Sequence, residues 1–254
     1  VPNEKGIKMT SGANVPAISG PISKLYGFVT YLISQGAIVI WALFLCNVGL
    51  FAIDKGGPIA HSTAWAVNSG LVLLFGVQHS IMARDSFKQL VTRLVPPHLE
   101  RSTFVGISGL VLLAMAALWQ PLPDVVYQIS GSARIAVWAV YGIGWLFVVV
   151  STMLIDNMAL HGIRQSFSGD ITETSDKLVT PLLYKLVRHP MMLGFLIVIW
   201  ATPDMTEGRL FLATTMTIYL FIGMHFEEKA LLRHFGAAYE DYRNRVPMIL
   251  PWPR

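Results

Sequence analysis

The chain is poor in cysteine and poor in charge. Its single cysteine, Cys46, leaves no disulfide framework and no cysteine-based metal site. Charged residues make up 13% of 254, against roughly 25% in soluble domains. Walker, dinucleotide-binding and serine-nucleophile motifs are absent. The seven histidines form no His-x-x-x-His or His-x-x-His-His cluster. His225 and Glu228 are three apart, but a di-iron site needs several such groups from other helices. No metal is expected. No repeat or low-complexity linker breaks the chain.

What the chain does have is long apolar runs. Residues 25–53, 102–123 and 135–155 hold no Asp, Glu, Lys, Arg or His, and 62–83 hold only His79. Each can cross a hydrocarbon core of about 30 Å, which takes about 20 helical residues. Two shorter runs, 190–203 and 210–224, are separated by residues 204–209 and cover only about 21 to 23 Å at 1.5 Å per residue. They read as a tight hairpin lengthened by 182–187 and 225–232. The expected fold is all-α: a polytopic transmembrane helical bundle of five to six spans, with the last two as a helical hairpin and a cytoplasmic interfacial C-terminal helix. Residues 1–254 form one integral membrane domain, with an apolar front at 25–155 and a functional back at 156–254.

With six crossings, one face carries 16 of the 19 Lys and Arg residues and the other only Lys55, Arg134 and Arg209. By the positive-inside rule both termini are cytoplasmic. The net charge of +4 therefore reflects orientation and contact with membrane lipids, and nucleic acid is not an expected partner. No cleavable signal peptide is expected, because the first 24 residues are polar and the first apolar run is too long for an h-region. Met9 is an alternative beginning. Residues 84–95 (RDSFKQLVTRLV) have the spacing of an amphipathic interfacial helix closed by Pro96 and Pro97. Residues 156–180 read as a long cytoplasmic loop, a lid or a connector, ending in Thr180 and Pro181 at a helix start.

The densest chemistry lies in Arg188-His189-Pro190-Met191-Met192-Leu193-Gly194 and in Glu227-Glu228, where apolar helices meet the cytoplasm. Ionisable groups there are costly and usually functional. Pro190 disfavours helix at His189 and starts a new one, leaving N–H groups near Met191 to Leu193 for an anionic ligand group. Gly194 allows close approach of a backbone or flat ring. The bland alternative has Arg188 snorkelling to lipid phosphates and His189 capping the interface. A carboxylate of the Glu227-Glu228 pair would accept from ribose hydroxyls or an ammonium, or pair with Arg188, Lys229 or Arg233. His79, in Gln78-His79-Ser80, and Glu100-Arg101-Ser102-Thr103 fall on the same face. A lone membrane histidine also serves as a helix-to-helix hydrogen bond.

The stretches RHPMMLGF and EEKALLRHFGAAYEDYRNRVPMILP resemble the isoprenylcysteine carboxyl methyltransferase superfamily. With GVQHSIMAR, ERSTFV and GIRQ added, the pattern is more similar to its thiol-methylating branch, the bacterial methanethiol S-methyltransferases, and to NnrU-like relatives. The chain departs from the superfamily at Met192, where tyrosine is usual, and from the thiol branch at 156–161. The resemblance implies S-adenosylmethionine on the cytoplasmic side, held by Tyr184, Arg188, His189, Pro190, Leu193, Gly194, Glu227 and Glu228. It implies a small thiol, methanethiol giving dimethyl sulfide, bound near Ser80, Ser102, Asp156, Arg164 and Gln165, in a bacterial inner membrane. A thiol must lose its proton, so His79 is the candidate base or relay and Arg101 the charge that favours thiolate. A prenylated or other lipid-like acceptor and a non-enzymatic accessory role are the alternatives.

Overall fold

The computed structural model describes residues 20–57, 59–169 and 178–251. The long helices are α1 (Gly20–Leu45), α2 (His61–Met82), α4 (Glu100–Leu118), α5 (Gly131–Ile155) and α9 (Glu207–Phe235). Shorter ones are α3 (Asp85–Val91), α6 (Asn157–Leu160), α7 (Ile163–Ser168), α8 (Pro190–Trp200) and α10 (Ala237–Arg245). Four helices are long and apolar enough to cross a membrane, or five when α2 is joined to α3 across an 81° bend.

The bundle is not wholly helical. Strands β1 (Val125–Gln128) and β2 (Asp204–Thr206) pair antiparallel, with Val125 opposite Thr206 and Gln128 opposite Asp204. The expected last hairpin is unequal: α8 has 11 residues and α9 has 29. The main partner of α8 is α5, and α1 packs mainly on α4. Small residues permit both contacts. A Cβ on Gly194 would lie 2.7 Å from the Gly144 oxygen, and one on Gly106 would lie 2.8 Å from Thr30. Between lipid-embedded helices, where burial gives little driving force, such close packing holds the pair together.

The first apolar run stops being helical at Leu45. Asn47, at φ 60°, turns the chain, and its Oδ1 accepts the Asp54 N–H at 3.2 Å; Asn tolerates this left-handed geometry better than most residues. The turn brings Asp54 to the start of α9. There the buried Arg209 donates to Asp54 at 2.7 Å, to the Leu45 carbonyl at 2.7 Å and to Thr202 at 3.1 Å. Thr206 donates to the other Asp54 oxygen at 2.6 Å and caps α9 by accepting the Arg209 N–H. Arg134 clasps Asp204 with two hydrogen bonds of 2.8 and 2.5 Å, which hold that carboxyl below its usual range. Above these pairs the core is aromatic, with Trp41 stacked on Phe44 and Phe44 edge-on to Trp119.

Other expectations need correction. Of residues 84–95, only Asp85–Val91 is helical. Residues 156–169 are no open loop: α7 packs on α1 and α4, and α6 on α5 and α7. Gly162 makes that contact possible at φ 79°, since a Cβ there would sit 2.5 Å from the Ser102 nitrogen. The centre of the expected lid, 170–177, lies outside the described residues, as does the leader region 1–19. Residues 182–185 form a single 3-10 turn and not a helical extension of a span. The C-terminal helix is separated from α9 by a turn at Gly236, φ 56°.

Candidate active site

The break expected at Pro190 is present. Pro190 is the first residue of α8, and His189 precedes it outside helical geometry, at φ −123° and ψ 64°. Backbone hydrogen bonds sew this break to the segment after α10, from Arg188 N–H to Pro247 O at 2.9 Å and from His189 N–H to Met248 O at 3.1 Å. Arg188 does not snorkel; it is 8% exposed. Its Nε donates to Glu228 Oε1 at 2.7 Å and a terminal nitrogen lies 2.6 Å from the same oxygen. Its other terminal nitrogen donates to the carbonyls of Arg243 (3.0 Å) and Val246 (2.7 Å). An arginine so bonded has little left for a ligand and serves as the frame of the site.

His189 Nε2 lies 3.1 Å from the same Glu228 oxygen, and Nδ1 lies 3.7 Å from a Glu227 oxygen. The Glu227 side chain is half exposed, so its carboxylate stays open to a ligand. Tyr239 is fully buried and its hydroxyl has no partner among the described residues. Tyr242 donates to the Tyr184 carbonyl at 2.6 Å. Burial raises the phenols of Tyr184, Tyr239 and Tyr242, that of Tyr242 to about 12, so all three are neutral hydrogen-bond donors at physiological pH. The Leu193 N–H bonds back to His189 O, which leaves Met191 and Met192 as the N–H groups the helix cannot satisfy itself. Gly194 faces α5, where its missing side chain serves helix packing. A cleft of about 890 Å³ is lined by Thr180, Lys185, Tyr242 and neighbouring residues of α9 and α10; none of the eight expected cofactor residues lines it.

The acceptor candidates divide. His79 Nδ1 is 3.2 Å from Ser108 Oγ, with its ring stacked on Phe75 and 4.8 Å from that of Phe104. Arg101 lies over the same Phe104 ring, 5.2 Å from its centroid, and its Nε donates to the Leu160 carbonyl. Ser80 is exposed and reaches the Tyr219 hydroxyl at 3.5 Å. These residues share one neighbourhood.

Ser102 does not join them. It is fully buried, bonded to Gly162 O and Ser166 Oγ, so its hydroxyl is used in seating α7. Asp156 caps the Ala159 N–H and pairs with Arg164 at 2.5 Å. Gln165 donates to Ala159 O, and its Oε1 is buried without a partner among the described residues. Asp156, Arg164 and Gln165 therefore brace the α6–α7 turn. No hydrogen bond or ion pair among the described residues joins His79 or Arg101 to the Arg188–Glu228 group. Tyr219, the α9 neighbour of His79, lies about 13 Å along the helix from Glu228.

Ser108, Tyr219 and Tyr239 were not among the expected site residues. Ser108 and Tyr219 sit inside apolar runs, where spacing gives no signal. Tyr239 was visible only as part of the pattern after Phe235. One metal-capable group exists among the described residues: His61, Asp124 and Glu207, at the opposite end of α9 from Glu228 and largely exposed, with His61 and Glu207 already paired at 2.7 Å.

Residues 138–238 match the phospholipid methyltransferase family model. The methanethiol S-methyltransferase 2 of Bradyrhizobium diazoefficiens is 44% identical over 89% of both chains. The methanethiol S-methyltransferase of Mycobacterium tuberculosis is 40% identical over 90% of this chain and 96% of its own. That of Pseudomonas deceptionensis is 41% identical over 89% of this chain and 88% of its own. No solved structure matches. With a break at Pro190, a Glu228-centred cluster and relatives at this identity over nearly the whole length, the chain belongs to the methanethiol S-methyltransferase family.

Proposed function

We propose that this chain methylates a small thiol, methanethiol, to dimethyl sulfide with S-adenosylmethionine as donor. The observation that carries the reading is the convergence of Arg188, His189, Glu227 and Glu228 on one frame, in a chain whose relatives bear that activity in their names. The groups there fit the donor. Glu227 offers a carboxylate to an ammonium or ribose hydroxyls, the unsatisfied N–H groups at the start of α8 suit a carboxylate, and the orphaned Tyr239 hydroxyl offers one more hydrogen bond. Pro190 fixes where α8 begins, Tyr184 and Leu193 flank the break, and Gly194 lets α8 lie close to α5.

When bound, the donor supplies an electrophilic sulfonium methyl. The protein positions the sulfur nucleophile in line with it and excludes water. His79 and Arg101 face the acceptor, His79 handling the thiol proton and Arg101 favouring the anion. The topology that goes with this reading has six crossings, both termini on the cytoplasmic side of a bacterial inner membrane, and one domain whose front, 25–155, admits the acceptor and whose back, 156–254, holds the donor. Each terminus should report the same side in a tag-accessibility assay.

The phospholipid methyltransferase match favours a second reading, a lipid-like acceptor. Both are tested by titrating the detergent-purified protein with S-adenosylmethionine and measuring headspace dimethyl sulfide against turnover of a prenylated cysteine. Preference for the prenylated acceptor by specificity constant would overturn the small-thiol assignment, and absence of donor binding would overturn the enzyme.

A further inference from the structure

The partners of His79 bear on which ring nitrogen carries its proton. Serine and threonine on a helix commonly donate to the carbonyl one turn back. Ser151 does so to Phe147 O at 2.6 Å, Ser166 to Gly162 O at 2.8 Å and Thr103 to Leu99 O at 2.8 Å. Among the described residues Ser108 makes no such bond. Its Oγ lies 3.3 Å from the Gln78 side-chain nitrogen and 3.2 Å from His79 Nδ1; with Gln78 donating, its Oε1 has no partner among the described residues and the acceptor left for the Ser108 proton is His79 Nδ1. With Nδ1 accepting, the neutral imidazole has its one proton on Nε2. The ring has little room to reorient, stacked on Phe75 and pressed by Phe104, with Tyr219 edge-on 6.5 Å away.

The geometry points to His79 as a hydrogen-bond donor to the acceptor's sulfur, with Ser108 and Gln78 as positioning residues that set this tautomer. The inference rests on the reading that His79 faces the thiol, and it changes the residue's task from removing a proton to holding an anion. The S–H proton leaves to bulk water. The thiolate sulfur accepts the Nε2–H and gives an electron pair to the methyl carbon. The sulfonium carbon–sulfur bond breaks, and S-adenosylhomocysteine is left. A donor aimed at the nucleophile also selects sulfur ahead of water, since it rewards the acid that is more easily ionised.

Two variants separate the roles. Glutamine can place an N–H near the Nε2 position but cannot act as a base at neutral pH; alanine can do neither. We expect His79→Ala to lower methanethiol turnover by about 100-fold, the scale for losing one donor to a developing or bound anion. His79→Gln should stay within about tenfold of wild type, and both should bind S-adenosylmethionine normally by calorimetry. Independently of turnover, ¹⁵N-histidine spectra of the donor-free protein should show the His79 signal, identified by its loss in His79→Ala, protonated at Nε2. Ser108→Ala should make that preference vanish. If both variants bind donor but are equally inactive, or if wild type is protonated at Nδ1, the donor role is overturned and a base stands. If His79→Ala turns over like wild type, the placement of the thiol at His79 is overturned instead. The wild-type spectrum decides the tautomer even if a variant does not fold.

Discussion

Two buried arginines on or against α9, about 28 Å apart along it, pair with carboxylates and do different work. At the start of the helix Arg209 meets Asp54, Thr202 and the Leu45 carbonyl, and both Asp54 oxygens are taken. Beyond it Arg134 closes on Asp204. Toward the other end Arg188 is equally well bonded, but its surroundings are unfinished: Glu227 is half exposed, and the Tyr239 hydroxyl is buried without a partner. A closed network stabilises an arrangement, whereas an arranged but unfinished one has capacity for a ligand. A buried, unsatisfied polar group costs about 1–3 kcal/mol; among the described residues the Tyr239 hydroxyl is such a group near Glu228, as the indole nitrogens of Trp119 and Trp145 are in the aromatic core.

This contrast can be tested in order of effect. Arg209→Ala strands Asp54 and should cost about 3–5 kcal/mol of stability, read by thermal or denaturant unfolding in detergent, while donor affinity of the folded fraction stays unchanged. A simultaneous loss of affinity would mean that the two ends are coupled. Glu228→Gln removes the charge that Arg188 and His189 share, at about 1.5–3 kcal/mol for a charged hydrogen bond. It should weaken S-adenosylmethionine by tenfold or more in calorimetry, and wild-type affinity would place the donor elsewhere. Gly194→Ala forces a Cβ against α5 and should cost about 1–3 kcal/mol by overpacking, measured as a lower melting temperature. If melting is unchanged but donor binding falls, Gly194 belongs to the ligand after all. Arg164→Ala breaks a pair that is half exposed on the arginine side and should change stability by no more than about 1 kcal/mol. A large drop in methanethiol turnover there would return Arg164 to the acceptor site.

How much of this was readable beforehand depends on how local the physics is. The break at Pro190 follows from proline's own backbone chemistry, so it was legible residue by residue. The meeting of Arg188 with Glu228 was legible as a possibility, because a carboxylate at a membrane boundary needs a partner, but the single shared oxygen was not. The hydrogen bonds of Ser102 and of the α6–α7 turn are not legible in the sequence, because they depend on the surface that α1 and α4 present to them. The ribbon at Val125–Gln128 was overlooked between two strong helical signals, although its β-branched and aromatic residues favour a strand. Ser108 carries no mark in the sequence that separates it from the other hydroxyls in apolar helices; only its partners do.

The frame around Arg188 also has an order in time. Four of its hydrogen bonds are accepted by carbonyls of the stretch 243–248, which the ribosome makes after α9. Residues 188 and 189 can enter the bilayer boundary early, but they cannot take their final geometry until that stretch has been translated and folded back. A nascent chain cut short before Pro247 would lack these partners of residues 188 and 189, so the frame is completed only in chains that reach this point.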